Sequence, residues 1–189
     1  MASFDTTVLI IDGKKFLQSI PIIEYIDETY RVQSQLLPED SYQRYQARLI
    51  SEIIASGTQV SLVFLNFSYS LCLFIVFHSN LKPFHSTSVL KRIGEEKNAE
   101  WTCPYIKLGL DAVEKALEES AGRYCVGDQI SIADCCLVPE LYFARLFKVD
   151  LTAYPIMTAI EERLNELLEF KAAHPNRQQD CPEEEKLKS

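Results

Sequence analysis

The sequence contains no cluster of lysine and arginine, and its formal charge at pH 7 is −8. A nucleic-acid partner requires a basic footprint to replace the counterions of the phosphate backbone, so none is expected. Six cysteines are present (Cys72, Cys103, Cys125, Cys135, Cys136 and Cys181), but there is no C-x-x-C pair, and no basic-then-apolar leader pattern stands ahead of them. That pattern suggests neither a zinc site nor a disulfide framework; free thiols in a reducing cytoplasm are the expectation. His78, His85 and His174 stand far apart without ligand spacing, and no metal site is expected. Internal repeats and low-complexity tracts are also absent. The chain of 189 residues is long enough to bury a substantial core, as one large domain or as a small domain joined to a medium one.

What is present reads mainly as helix. Val8 to Ile11 is a β-branched run, Asp12-Gly13 is a hairpin-type turn, and Lys14 to Leu17 is a second short run, so a β-hairpin is expected. Ser19 then stands as an N-cap before "IPIIEYIDETY". There Ile22, Ile23 and Ile26 share one face, and Pro21 is tolerated in the first turn. Leu36-Leu37-Pro38 reads as a linker, and the composition shift at Pro38 divides the chain into residues 1–37 and 38–189. A helix opening at Ser41 is expected to bury Tyr45, Leu49, Ile50, Ile53 and Ile54.

Farther on, Ser88 to Glu119 reads as a long helix with Val89, Ile93, Trp101, Ile106, Leu110, Val113 and Leu117 in the core. Pro104 should bend or restart it, and Gly122 should cap its end. Gly127-Asp128 makes a turn before Ser131-Ile132-Ala133-Asp134, an S-x-x-D capping box with Ile130 and Cys135 as its hydrophobic staple. A last helix is expected from about Pro155 to Phe170, followed by a loose polar tail, "HPNRQQDCPEEEKLKS".

The segment from Val60 to Lys82 is out of character with both flanks, since no charge occurs from Val60 to Phe77. That approaches the length of a membrane span. Polar residues at its ends and inside it (Ser61, Asn66, Ser68, Ser70) argue against one. Joining Gln59 directly to Pro83 restores a continuous helical domain sequence, "ASGTQPFHSTSVLKRIGEE". Val60-Ser61 and Lys82 are moreover residues that intron boundaries can encode, so an in-frame retained intron is the expectation.

The stretches "FLQSIPIIEYIDET", "LLPEDSYQRYQARLISEIIASGTQ", "SVLKRIGEE", "YCVGDQISIADCCLVPEL", "FKVDLTAYP" and "HPNRQQD" together resemble the zeta-class glutathione transferases, or maleylacetoacetate isomerases. The resemblance covers most of the chain apart from residues 1 to about 7 and 60–82. It implies a mainly α glutathione transferase fold: a partial thioredoxin-like, glutathione-binding unit (hairpin plus helix) over 1–37, and an all-helical C-terminal domain over 38–189 carrying the apolar insertion 60–82.

It also implies glutathione as cosubstrate, a small acidic substrate, a homodimer, a cytoplasmic location and a place in tyrosine and phenylalanine catabolism. Gln18 and Ser19 would hold the γ-glutamyl end of glutathione, with further contacts from Gln59, Ser86, Thr87 and Ser88. The family's V-P-T-L turn corresponds to Thr6-Thr7-Val8-Leu9, which adds Thr6 to the set. It puts Thr7 in the place of the family's cis-proline, where a cis bond would cost about 3 kcal/mol.

No residue of the chain takes the part of the family's serine- and cysteine-rich thiolate-stabilising motif, so no catalytic residue is assigned and negligible isomerase activity is expected of these 189 residues. Leu146 stands where the family commonly has an arginine before "FKVDL", and Arg145, one residue earlier, is not expected to inherit that role. The alternative expectation is a non-catalytic helical module for dimerisation or ligand binding.

Overall fold

The computed structural model describes residues 8–30, 35–58, 92, 94–179, 181 and 186. Its one sheet among these is the hairpin of β1 (Val8–Ile11) and β2 (Lys14–Leu17), antiparallel with Leu9 opposite Phe16 and Ile10 opposite Lys15. Asp12 and Gly13 both take positive φ, 50° and 75°. A two-residue hairpin needs that geometry, and aspartate followed by glycine tolerates it best. Leu9 points into the core at 3% exposure and Ile10 outward at 54%, which is the alternation a one-sided sheet requires.

Helix α1 (Ser19–Thr29) lies against β2 and buries Ile22, Ile23 and Ile26. Asp27 ties its far end to the linker, its carboxylate accepting the Leu36 N–H at 3.0 Å. Helix α2 (Ser41–Glu52) starts on Asp40, whose Oδ1 accepts the N–H groups of Tyr42 and Gln43, and it continues as a π-helical stretch, Ile53–Thr58. The inward face is Ala47, Ile50 and Ile54; Tyr45 and Leu49, expected in the core, are 56% and 37% exposed. Leu49 lies about 100° around the helix from Ile50. An apolar stripe this wide cannot be buried whole by one set of neighbours, and the later helices packed on α2 leave Tyr45 and Leu49 outside.

A 3-10 turn, Glu95–Lys97, leads into α3 (Asn98–Ser120). Of the core candidates on it, Ile106, Leu110, Val113 and Leu117 are buried, whereas Trp101 is 39% exposed and leans on the Tyr105 ring at 5.6 Å. Pro104 sits inside this helix without dividing it. Val89 and Ile93 lie outside the described residues. Helix α4 (Ile132–Leu146) packs against α2, and α5 (Pro155–Asn165) closes the bundle against α3 and α4.

The expected helix from Pro155 to Phe170 is in fact two, α5 and α6 (Leu168–Ala173), parted at an extended Leu167. Leu164 and Phe170 are both buried, and in one unbroken helix they would point about 120° apart. The break lets both face the same core.

Gly122 is not a left-handed helix cap as expected. Ala121 ends α3 with extended geometry, and glycine is needed at 122 because a Cβ there would stand 2.7 Å from the Gly127 carbonyl oxygen. The left-handed cap occurs instead after α4, on Lys148 at φ 57°. There the Lys148 N–H reaches the Arg145 carbonyl at 2.9 Å and the Val149 N–H reaches Ala144 at 3.0 Å, the paired bonds of a Schellman turn. A side chain at such a position is strained by about 1 kcal/mol. Lys148→Gly is accordingly expected to raise the thermal midpoint by roughly 2–4 °C in a chain this size, measured by circular dichroism; an unchanged or lower midpoint would contradict the strain.

Candidate functional site

The junction between β2 and α1 is where sequence and structure concentrate chemistry. Gln18 is the residue before the helix, and its backbone sits at φ 70°, ψ 129°, a region a non-glycine residue rarely occupies. Holding it there costs on the order of 1–3 kcal/mol, and strain of this kind collects at ligand clamps. Ser19 follows as the first helical residue, so it is not the N-cap expected from the sequence, and no side-chain cap bond is made at this end. Its side chain is 1% exposed, yet Oγ has no hydrogen-bond partner among the described residues.

The N–H groups of Ser19 and Ile20 have no acceptor within the helix, because the first turn of any helix leaves its donors unused, and Pro21 has none to offer. Helix N-terminus, buried hydroxyl and strained backbone converge on one point, which favours an anionic group such as a carboxylate.

Of the other expected glutathione contacts, Thr6, Gln59, Ser86, Thr87 and Ser88 all lie outside the described residues, as does the segment 60–82. No helix among the described residues is long and apolar enough to cross a membrane, and no group of three metal-ligating side chains occurs among them. An open cleft of about 490 Å³ lined by Asp27, Glu28, Gln35, Leu37, Arg44 and Arg48 sits at the opposite end of α1 from Ser19. Its arginines are already engaged: Arg44 donates to the Pro38 and Glu39 carbonyls and Arg48 to Glu24.

Arg145 is also committed. Its guanidinium donates to both carboxylate oxygens of Glu161, the first at 2.6 Å, and that carboxylate strengthens its hold on the proton. It therefore holds α4 to α5.

Comparison with known proteins places this arrangement in a family. Residues 82–167 match the model of the glutathione S-transferase C-terminal domain. A probable maleylacetoacetate isomerase 2 from Drosophila melanogaster is 45% identical over 92% of this chain and 66% of its own length. The maleylacetoacetate isomerase of Mus musculus is 41% identical over 92% of this chain and 69% of its own.

The chain belongs to the maleylacetoacetate isomerase family.

The solved maleylacetoacetate isomerase of Anaeromyxobacter dehalogenans superposes with a TM-score of 0.75 at 34% identity. It covers 97% of this chain and 74% of its own, and it holds dicarboxyethyl glutathione and citrate in its active site. The chain thus spans about two thirds of the length of the curated relatives. Its fold is the family's: among the described residues, a hairpin and helix belonging to the thioredoxin-like unit are followed by helices only. The backbone strain at Gln18 and the lack of a partner for the Ser19 hydroxyl could not be read from the sequence, where Ser19 looked like an ordinary cap.

Proposed function

We propose that this chain works as a glutathione-dependent isomerase that converts maleylacetoacetate to fumarylacetoacetate, with Gln18 and Ser19 holding the carboxylate of the γ-glutamyl end of glutathione. The observation that carries the reading is the buried, unpartnered Ser19 hydroxyl at the start of α1. The chemistry glutathione would supply is a sulfur nucleophile for reversible addition across the substrate's cis double bond. The chain's own residues bind and orient. The Ser19 hydroxyl and the first N–H groups of α1 present donors to an anion, and the Gln18 backbone sets the angle at which the chain enters the helix. Thr6, Gln59, Ser86, Thr87 and Ser88 complete the tripeptide contacts in this reading. The substrate is a small dicarboxylate-like acid, the working assembly a homodimer in the cytoplasm, and the pathway that of tyrosine and phenylalanine breakdown. Residues 1–37 form the glutathione-binding unit and 38–189 the helical domain.

The amide resonances of Gln18, Ser19 and Ile20 should shift when the protein is titrated with glutathione, and Ser19→Ala should abolish the shift. Replacing an ordinary N-cap serine by alanine costs about 1 kcal/mol. Here the hydroxyl is buried and unpartnered, so Ser19→Ala is expected to leave unfolding free energy unchanged or to raise it by about 1 kcal/mol, measured in urea. Loss of stability without loss of glutathione response would make Ser19 a structural cap and sink the proposal. An isomerase assay with maleylacetoacetate and glutathione is the parallel measurement. Binding is read separately so that the site is tested apart from turnover.

A further inference from the structure

We propose that His174 pins a pH-responsive latch holding residues 174–178 against α4. The first six residues of the expected loose tail, 174–179, form a turn. His174 caps a 3-10 turn, Pro175–Arg177, by accepting the Asn176 N–H on Nδ1 at 3.1 Å. Asn176 in turn accepts the Tyr142 hydroxyl of α4 at 3.0 Å, and the His174 ring meets the Tyr142 ring edge-on at 5.4 Å. The His174 carbonyl accepts the N–H of Arg177 at 3.0 Å and Nε2 of Gln178 at 3.1 Å. Gln178 carries the turn on to Cys181, which is 8% exposed. The segment is held by a ring nitrogen that must be unprotonated to accept, because a proton on Nδ1 would point at the Asn176 N–H and turn the bond into a donor–donor clash.

The charged groups facing the ring pull in both directions. Burial and Arg177, on the turn itself, push the imidazole below its ordinary range, while Glu161 on α5 pulls it back up. Glu161 is itself occupied by Arg145 of α4, which blunts its attraction, and Tyr142 is the group of α4 in ring contact. Burial is the largest of these influences, so the docked form prefers the neutral ring.

The sign follows. Above the ordinary histidine range, near pH 6.5, docking is at full strength. As pH falls below that, the undocked segment takes up a proton more readily than the docked one, and docking weakens until the pH has passed the docked form's lowered value.

Hydrogen exchange at Asn176, Arg177 and Gln178, corrected for the intrinsic dependence of exchange on pH, tests the latch on the intact protein. Protection at these amides should be lost between pH 7.5 and pH 5.5 while amides of α3 and α4 keep theirs. In His174→Asn the amide oxygen can still cap the turn but cannot titrate, so protection should persist across the same range. Protection independent of pH in the unaltered protein, or the same loss in His174→Asn, overturns the proposal. An NMR titration of the His174 ring supplies a second readout: a pKa at or above the ordinary histidine value also overturns it.

Discussion

Asp134→Ala is expected to cost about 3–5 kcal/mol of unfolding free energy, out of a total for a domain of this kind of only about 5–15 kcal/mol. Asp134 is fully buried. Its Oδ1 accepts the Cys125 N–H at 2.9 Å, and its Oδ2 accepts both the Ser131 N–H at 2.8 Å and the Ser131 hydroxyl at 2.9 Å. Alanine would leave three buried donors facing nothing and would uncap α4. It would also release the loop from Gly122 to Asp128, whose Cys125 is anchored only nine residues away on this carboxylate.

Asp134→Asn should cost less, about 1–2 kcal/mol, because one amide oxygen still accepts from Cys125 while the NH₂ meets the Ser131 N–H with a second donor. Urea midpoints order the three proteins, and equal midpoints for the alanine and asparagine variants would show that the hydrogen bonds are not what the site contributes. Burial raises the Asp134 carboxyl above its ordinary range despite the bonds it accepts. Between the ordinary carboxylate range and that raised value, the folded protein holds the proton more tightly than the unfolded chain. This group therefore adds stability as pH falls and loses it as pH rises through that window, and acid unfolding must be driven by other carboxylates.

Arg145→Ala is expected to cost about 2–3 kcal/mol by the same measurement. Glu161 is 4% exposed and has one guanidinium on both its oxygens, so alanine at 145 strands a buried carboxylate. The arginine itself is half exposed, and solvent reaching its place keeps the figure below that of a fully buried pair. Replacing both residues, as Arg145→Met with Glu161→Leu, should recover most of the loss, since an apolar pair of similar volume carries no desolvation cost. A double variant as unstable as Arg145→Ala would show instead that packing of the arginine stem is what matters.

Local chemistry made several elements legible before the structure. Asp12-Gly13 announces the hairpin because few other dipeptides accept positive φ twice in succession. Ser131-x-x-Asp134 announces α4, although the sequence did not reveal that the aspartate also reaches back to Cys125 and so locks the preceding loop. Pro155 marks the start of α5, where two carboxylate oxygens of Glu114 on α3 take the free N–H groups of Ile156 and Met157. Besides the caps at Ser19 and Gly122, the misreadings arose where periodicity alone had to choose. It gives the phase of an apolar stripe but not which part of a wide stripe finds a neighbour, so Tyr45, Leu49 and Trp101 were placed inside although the bundle leaves them out. It also cannot foresee a break such as Leu167, which exists only because Leu164 and Phe170 must meet one core.

The candidate site divides in the same way. The pair Gln18-Ser19 and the resemblance around it stand in the sequence, which by itself determined the family, the hairpin, the helical make-up and the residues worth testing. Only the tertiary structure decided how buried Ser19 is and which backbone Gln18 adopts. Ser19 is buried with no partner for its hydroxyl at the start of a helix whose Ile22, Ile23 and Ile26 face the core, and Gln18, between β2 and that helix, stands at positive φ. Burial and strain are properties of neighbours distant along the chain, and no local reading of "FLQSIP" contains them.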